Sequence, residues 1–138
     1  MVAVELEIVV RSTEIDVNGH VNNAKYLEYL EWGREEWYES SGLHYEVLKE
    51  LGVLTVTANI NINYRKECVQ GERLVVRTSP ERIGTKSFVL SQQIMSQSGD
   101  VCADALITLV TIDTVTRHST AVPQRLRAMF EQSEHGQS

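Results

Sequence analysis

From Ala3 to Val10 the chain alternates: Val4, Leu6, Ile8 and Val10 fall at every second position, with Ala3, Glu5, Glu7 and Val9 between them. That period of two predicts a strand with one buried face over Val2–Arg11. Ser12–Val21 breaks the pattern as a polar turn. The period then changes. Tyr26, Leu27, Leu30, Trp32, Gly33 and Trp37 recur at helical spacings, while Glu28, Glu31, Arg34, Glu35 and Glu36 fall mostly elsewhere. This predicts an amphipathic helix from Ala24 to about Ser40, capped by Asn22 or Asn23. Gly33 inside a helix costs about 1 kcal/mol relative to Ala. Its presence predicts close approach of the helix to a sheet. Gly42 is the expected C-cap. Tyr45–Leu51 reads as a further turn or two of helix, ended by Gly52.

After Gly52 the signal is β throughout. Over Leu54–Tyr64, Val56, Ala58, Ile60, Ile62 and Tyr64 alternate with Thr55, Thr57, Asn59, Asn61 and Asn63, which predicts one continuous two-faced strand. Further strands are expected over Glu72–Arg82, Thr85–Gln97 and Val101–Thr114, with Ser98-Gly99-Asp100 a hairpin turn. Pro123 introduces a short helix, Gln124–Gln132, and Ser133–Ser138 reads as a frayed polar tail. The expected class is α+β. A long central helix is wrapped by a curved antiparallel sheet of about five strands, each burying its apolar face on the other. There is no repeat, linker or low-complexity segment, so residues 1–138 are read as one domain.

Composition narrows the function. A net charge of −6 and a pI near 5.2 oppose a general nucleic-acid face. The two cysteines, Cys68 and Cys102, have no metal or disulfide spacing, so no metal site and no cofactor are expected, and a reducing cytoplasm is the default. The start of the chain does not read as a signal peptide, and no apolar run approaches the roughly 20 residues that span a bilayer. No membrane partner is expected.

The candidate chemistry is in the turn. Asp16, Asn18 and His20 place a carboxylate, a carboxamide and an imidazole at alternate positions, just before a helix start. Asp, Asn and Gly are ordinary turn and cap residues. An imidazole is not needed for that purpose, and a helix N-terminus favours an anionic oxygen. A second polar cluster, Tyr64-Arg65-Lys66-Glu67-Cys68, closes the strand that follows.

Asp16-Val17-Asn18-Gly19-His20-Val21-Asn22-Asn23-Ala24-Lys25-Tyr26 resembles the active-site signature of hotdog-fold thioesterases. It is most like the acyl-acyl carrier protein (ACP) thioesterases, with a pattern Asp-x-Asn-x-His-Val-Asn-Asn-x-x-Tyr. Asn63–Cys68 resembles that family's second block. Asp16, Gly19 and Tyr26 also match the 4-hydroxybenzoyl-CoA thioesterase type. The resemblance implies a single hotdog domain that hydrolyses an acyl-CoA or acyl-ACP. It implies Asp16 as catalytic carboxylate, Asn18 and His20 as the pair that orients it, the Asn23 N–H as carbonyl-polarising donor, and Glu67 as second carboxylate. Gly19, Val21, Tyr26, Arg65 and Lys66 are expected along the substrate, although a solvated strand end is the plain reading of Arg65 and Lys66. Cys68 matches a cysteine once suspected as a nucleophile and is read here as a bystander. The plant enzymes carry two such units per chain and this sequence one. It also inserts residues 41–53 after the helix.

A tetrahedral oxyanion needs an ionised base or nucleophile and donors aimed at the developing charge, and this set provides both. A hydratase or dehydratase of the same fold would space its histidine five residues from the aspartate and carry proline where Gly19 stands. A non-catalytic acyl-thioester binder would not need the full set. One helix against one sheet leaves an open sheet edge, so a homodimer is the least assembly expected. The family implies homodimers or homotetramers.

Overall fold

The computed structural model describes residues 3–136, with side chains through Glu131. Val2, the polar end Gln137-Ser138, and the side chain of His135 lie outside the described residues. Strand β1 spans Val4–Val9 and is followed by a 3-10 turn, Ser12–Glu14, within the polar segment. Helix α1 is Asn23–Ser40 and α2 is Tyr45–Glu50. Strands β2 (Val53–Tyr64), β3 (Arg73–Ile83), β4 (Ser87–Ser96) and β5 (Val101–Asp113) precede α3 (Gln124–Gly136). The last helix therefore continues through residues expected to fray.

All strand pairings are antiparallel, in the order β1-β3-β4-β5-β2. β1 and β2, consecutive in the chain, stand at opposite edges. The link between them carries α1 across the sheet's inner face.

The buried positions of α1 are Tyr26, Tyr29, Leu30, Gly33, Arg34 and Trp37, a stripe at i, i+3, i+4, i+7, i+8 and i+11. Leu27 and Trp32, expected inside, are 37% and 39% exposed. Each lies to one side of the stripe that the sheet covers, and Trp32 rests against Tyr29 with ring centroids 5.6 Å apart. Gly33 meets the sheet as expected. A Cβ there would stand 2.5 Å from Val76 Cγ1. Asn22 is the N-cap, its side chain accepting from the Ala24 N–H at 2.9 Å. At the far end Ser41 is the C-cap, and Gly42 follows it at φ 71°.

β2 departs from the simple alternation. Its register with β5 passes from Thr57↔Leu109 to Asn59↔Thr108, leaving Ala58 as the extra residue of a bulge. The bulge reverses the phase, because one added residue turns every later side chain to the other face. Thr55 and Thr57 thus share the inner face with Ile60, Ile62 and Tyr64, while Val56 is 49% exposed on the outer one.

Candidate active site

The segment from Glu14 to Asn22 is a closed loop pinned at its base. Ile15 and Val21 form an isolated antiparallel bridge. The Asp16 N–H donates to His20 O at 2.8 Å, and the Gly19 N–H to Asp16 O at 3.1 Å. Gly19 has φ 81°, the left-handed region that glycine enters without steric cost. Asp16 Oδ1 accepts from the Asn18 N–H at 2.9 Å. Beneath the loop, Glu14 is only 7% exposed. Its Oε1 accepts from Tyr29 Oη at 2.9 Å and from the Arg11 N–H at 2.8 Å. This carboxylate was not singled out from the sequence. Its only signal there is its position three residues after Arg11, the residue that caps the turn. The interaction fastens the loop to the middle of α1. Burial, then the hydrogen bond to Glu14, push the Tyr29 phenol well above its ordinary value.

The second block comes from across the sheet. The Val21 N–H donates to Cys68 O at 2.9 Å, tying the 65–68 segment to the loop. The pairing brings His20 Nε2 to 3.0 Å from Glu67 Oε2, within one chain and 47 positions apart in sequence (67 − 20). Tyr26, on the first turn of α1, is buried. Its hydroxyl reaches Lys66 O at 3.5 Å, and its ring meets Tyr64 edge-on at 5.3 Å. Burial raises the Tyr26 phenol far above its usual range, so it stays protonated as a donor.

Asp16, Asn18, His20, Val21, Asn23, Tyr26, Arg65, Lys66 and Glu67 line one cleft of about 350 Å³, together with Tyr64. Every predicted site residue but Gly19 is in that lining; Gly19 instead shapes the loop from its exposed turn. Tyr64 is an addition, and its hydroxyl reaches Asn23 O at 3.4 Å. The Asn23 N–H has no acceptor among the described residues, whereas the N–H groups of Asn22, Ala24 and Lys25 all do. It opens the helix, where the macrodipole is positive.

Arg65 and Lys66 face the cleft, but their head groups are engaged. Lys66 Nζ is 2.7 Å from Asp100 Oδ2, and Arg65 pairs with Asp104. Each aspartate is held below the ordinary carboxylate value, chiefly by its cation. Cys68 and Cys102 are both fully buried and free. Burial, first, pushes the Cys102 thiol up to about 12. Among the described residues, no three His, Cys, Asp or Glu side chains are placed to hold a metal ion. No described helix is long and apolar enough to cross a membrane.

A long helix in a curved antiparallel sheet, with an Asp-x-Asn-x-His loop at its N-terminus, defines a hotdog-fold thioesterase. Residues 10–130 match the family described as the Thioesterase-like superfamily, and the chain belongs to it. It is 40% identical over 129 residues to the long-chain acyl-CoA thioesterase FadM of Escherichia coli, covering 93% of this chain and 97% of that one. It is 30% identical to the chloroplastic acyl-ACP thioesterase ATL2 of Arabidopsis thaliana, covering 91% of this chain and 67% of that protein. Among solved structures, the probable thioesterase YbaW of Escherichia coli superposes with a TM-score of 0.83 at 39% identity, over 94% of this chain and 97% of the other.

Proposed function

We propose that the cleft hydrolyses long-chain acyl-CoA, with Asp16 as the base or nucleophile. The observation that carries this reading is the Asn23 N–H, without an acceptor among the described residues, in the same cleft as Asp16 at the positive end of α1. A thioester oxygen placed there gains a donor that strengthens as negative charge develops. Asp16 then takes a proton from the attacking water, or attacks the carbonyl carbon to give a mixed anhydride that water cleaves; in either case the C–S bond breaks and the thiolate takes up the proton that the water loses. The Asn18 N–H fixes the rotamer of that carboxylate. The His20–Glu67 pair holds the water and is positioned to return a proton to the departing thiolate. Hydratase chemistry lacks this support, because His20 engages Glu67 and Gly19 replaces the proline such a site would carry.

CoA is favoured over ACP by the higher identity to the acyl-CoA enzyme. Gly19, Val21 and Tyr26 shape the path of the thioester. Phosphates would draw Arg65 and Lys66 out of their aspartate pairs. The outer edge of β2 carries unpaired backbone groups along its twelve residues, so a second copy pairing there would continue the sheet. Two buried, reduced cysteines fit a cytoplasmic setting.

The test is free-thiol release over straight, branched and aromatic acyl-CoAs. Asp16→Ala abolishes turnover while the circular dichroism spectrum stays native. Near-normal turnover in that variant refutes the assignment.

A further inference from the structure

Tyr64 is the last residue of β2 and lies on its inner face with Ile60 and Ile62. Its backbone is fixed on both sides. It pairs with Ala103 of β5, and the next N–H, that of Arg65, donates to Cys102 O at 2.8 Å. Its ring is backed edge-on by Tyr26, 5.3 Å away with 70° between the planes, and Tyr26 is buried on the first turn of α1. The phenol is therefore held in place, while 47% of the residue stays open in the cleft.

Its hydroxyl lies against the Asn23 peptide, 3.4 Å from the carbonyl oxygen. That bond is long beside the ~2.5–3.0 Å usual for a hydroxyl donor. The carbonyl also has little need of it. α1 begins at Asn23, so this oxygen accepts from the N–H of Leu27, four residues on. A hydroxyl rotates to suit its best acceptor, and here it is free to turn to a better one. Other donors of the cleft are engaged among the described residues. Arg65 and Lys66 are in ion pairs, the Tyr26 hydroxyl is on Lys66 O, and His20 Nε2 is on Glu67. Asn18 stands with Asp16, its N–H on that carboxylate. Tyr64 is the cleft side chain whose donor lies against the very peptide whose N–H has no acceptor among the described residues.

The oxygen of a tetrahedral intermediate carries a full negative charge and takes more than one donor. We infer that the Tyr64 hydroxyl is the second donor to that oxygen, beside the Asn23 N–H, and so a catalytic residue for thioester hydrolysis. It donates a hydrogen bond and keeps its proton. The proton transfers stay with Asp16 and the His20–Glu67 pair. A charged oxygen displaces the Asn23 carbonyl as acceptor because charge-assisted bonds are shorter and roughly twice as strong as neutral ones. This assignment rests on the Asp16–Asn23 function proposed for the cleft.

The test is Tyr64→Phe, which removes only a hydroxyl from a half-exposed ring and keeps the native circular dichroism spectrum. With palmitoyl-CoA its kcat falls by about tenfold to a hundredfold while KM changes by less than about threefold, the pattern of an interaction that strengthens in the transition state. A second measurement separates a donor to the substrate from a support for Asn23. The unreactive ketone analogue of palmitoyl-CoA, with methylene in place of sulfur and an isotope label at the carbonyl, is bound to each protein and its infrared stretch recorded. The wild type moves the stretch below its position in water, and Tyr64→Phe moves it part of the way back. If the wild type shifts the stretch but the substitution leaves either kcat or the stretch unchanged, the inference is overturned and the role of the Asn23 N–H stands. If the wild type leaves the stretch where water does, both fall.

Discussion

Replacing Gly33 with alanine sets two known effects against each other. In an isolated helix Ala is favoured over Gly by about 1 kcal/mol. Here the added Cβ would stand 2.5 Å from Val76 Cγ1, 3.0 Å from Gln92 Nε2 and 3.1 Å from Thr78 Oγ1. Carbon atoms pack at about 3.5–4.0 Å, so the helix or the strand must withdraw by about 1 Å. Val76 cannot yield, being β-branched, fully buried and paired on both sides, to Leu6 and to Ile94. Gln92 is fixed by its bonds to Leu30 and Thr78. Overpacking costs about 1–3 kcal/mol, and stretching the two Gln92 bonds adds up to about 1 kcal/mol each. After the propensity gain the terms span about 0 to 4 kcal/mol, centred on a destabilisation of about 2 kcal/mol. Urea unfolding followed by tryptophan fluorescence reads this as a lower midpoint at unchanged slope, and the melting temperature falls by about 3–10 °C. Turnover also falls, because a displaced α1 carries the Asn23 N–H with it. A variant as stable as the wild type, or more so, would refute the reading of Gly33 as the contact point of helix and sheet.

Cys68→Ala keeps the wild-type kcat in the thiol-release assay and loses about 1 kcal/mol of stability from the small void; loss of turnover in a native fold would make the thiol the nucleophile. Tyr29→Phe leaves Glu14 short of a buried donor and costs about 1–3 kcal/mol. Thermal unfolding checks it, and an unchanged melting point would remove that hydrogen bond from the account. Asp100 and Asp104 have folded carboxyl values below the ordinary 3.8, so their contribution is complete above that pH and is lost as pH falls through the lowered values. Amide exchange of residues 65–67 therefore stays constant from pH 7 to 5 after correction for intrinsic rates and rises only at stronger acidity. The effect is small because both pairs are exposed, and Asp104→Asn exchanges faster than the wild type between pH 5 and 7, the difference closing at strong acidity.

Where side chains carry a period or a cap, the sequence was a reliable guide. β1 alternates as written, Asn22 caps α1, and Gly33 touches the sheet. What was not legible depends on neighbours remote in the chain. The bulge at Ala58 is set by register with β5, and the β-branched pattern of β2 runs through it without a mark. Leu27 and Trp32 sit at plausible helical positions, but which side the sheet covers is decided by β3 and β4. The Asp16 loop was legible because its chemistry is local. Its partners were less so. Glu67 reaches His20 because the Val21–Cys68 hydrogen bond joins the two blocks, and Glu14 and Arg34 read as ordinary surface charges until burial is known.

The strand order has a consequence for how the chain reaches this state. Val4 pairs with Thr78, and Val53 with Asp113. β1 meets its neighbour only once the chain has reached β3, and β2 only once β5 has been synthesised. α1, with Trp37 and Leu30 fully buried in the end, has no sheet to lie on before β3 and β4 exist. Non-local closure of this kind slows folding and leaves apolar strands uncovered meanwhile. The nascent chain passes through an interval in which its first 64 residues hold the Asp16 loop and ten of the 26 buried core hydrophobics, with nothing yet to bury them. Until β3 to β5 follow, the segment can associate with other copies through the same apolar face that later packs on the sheet.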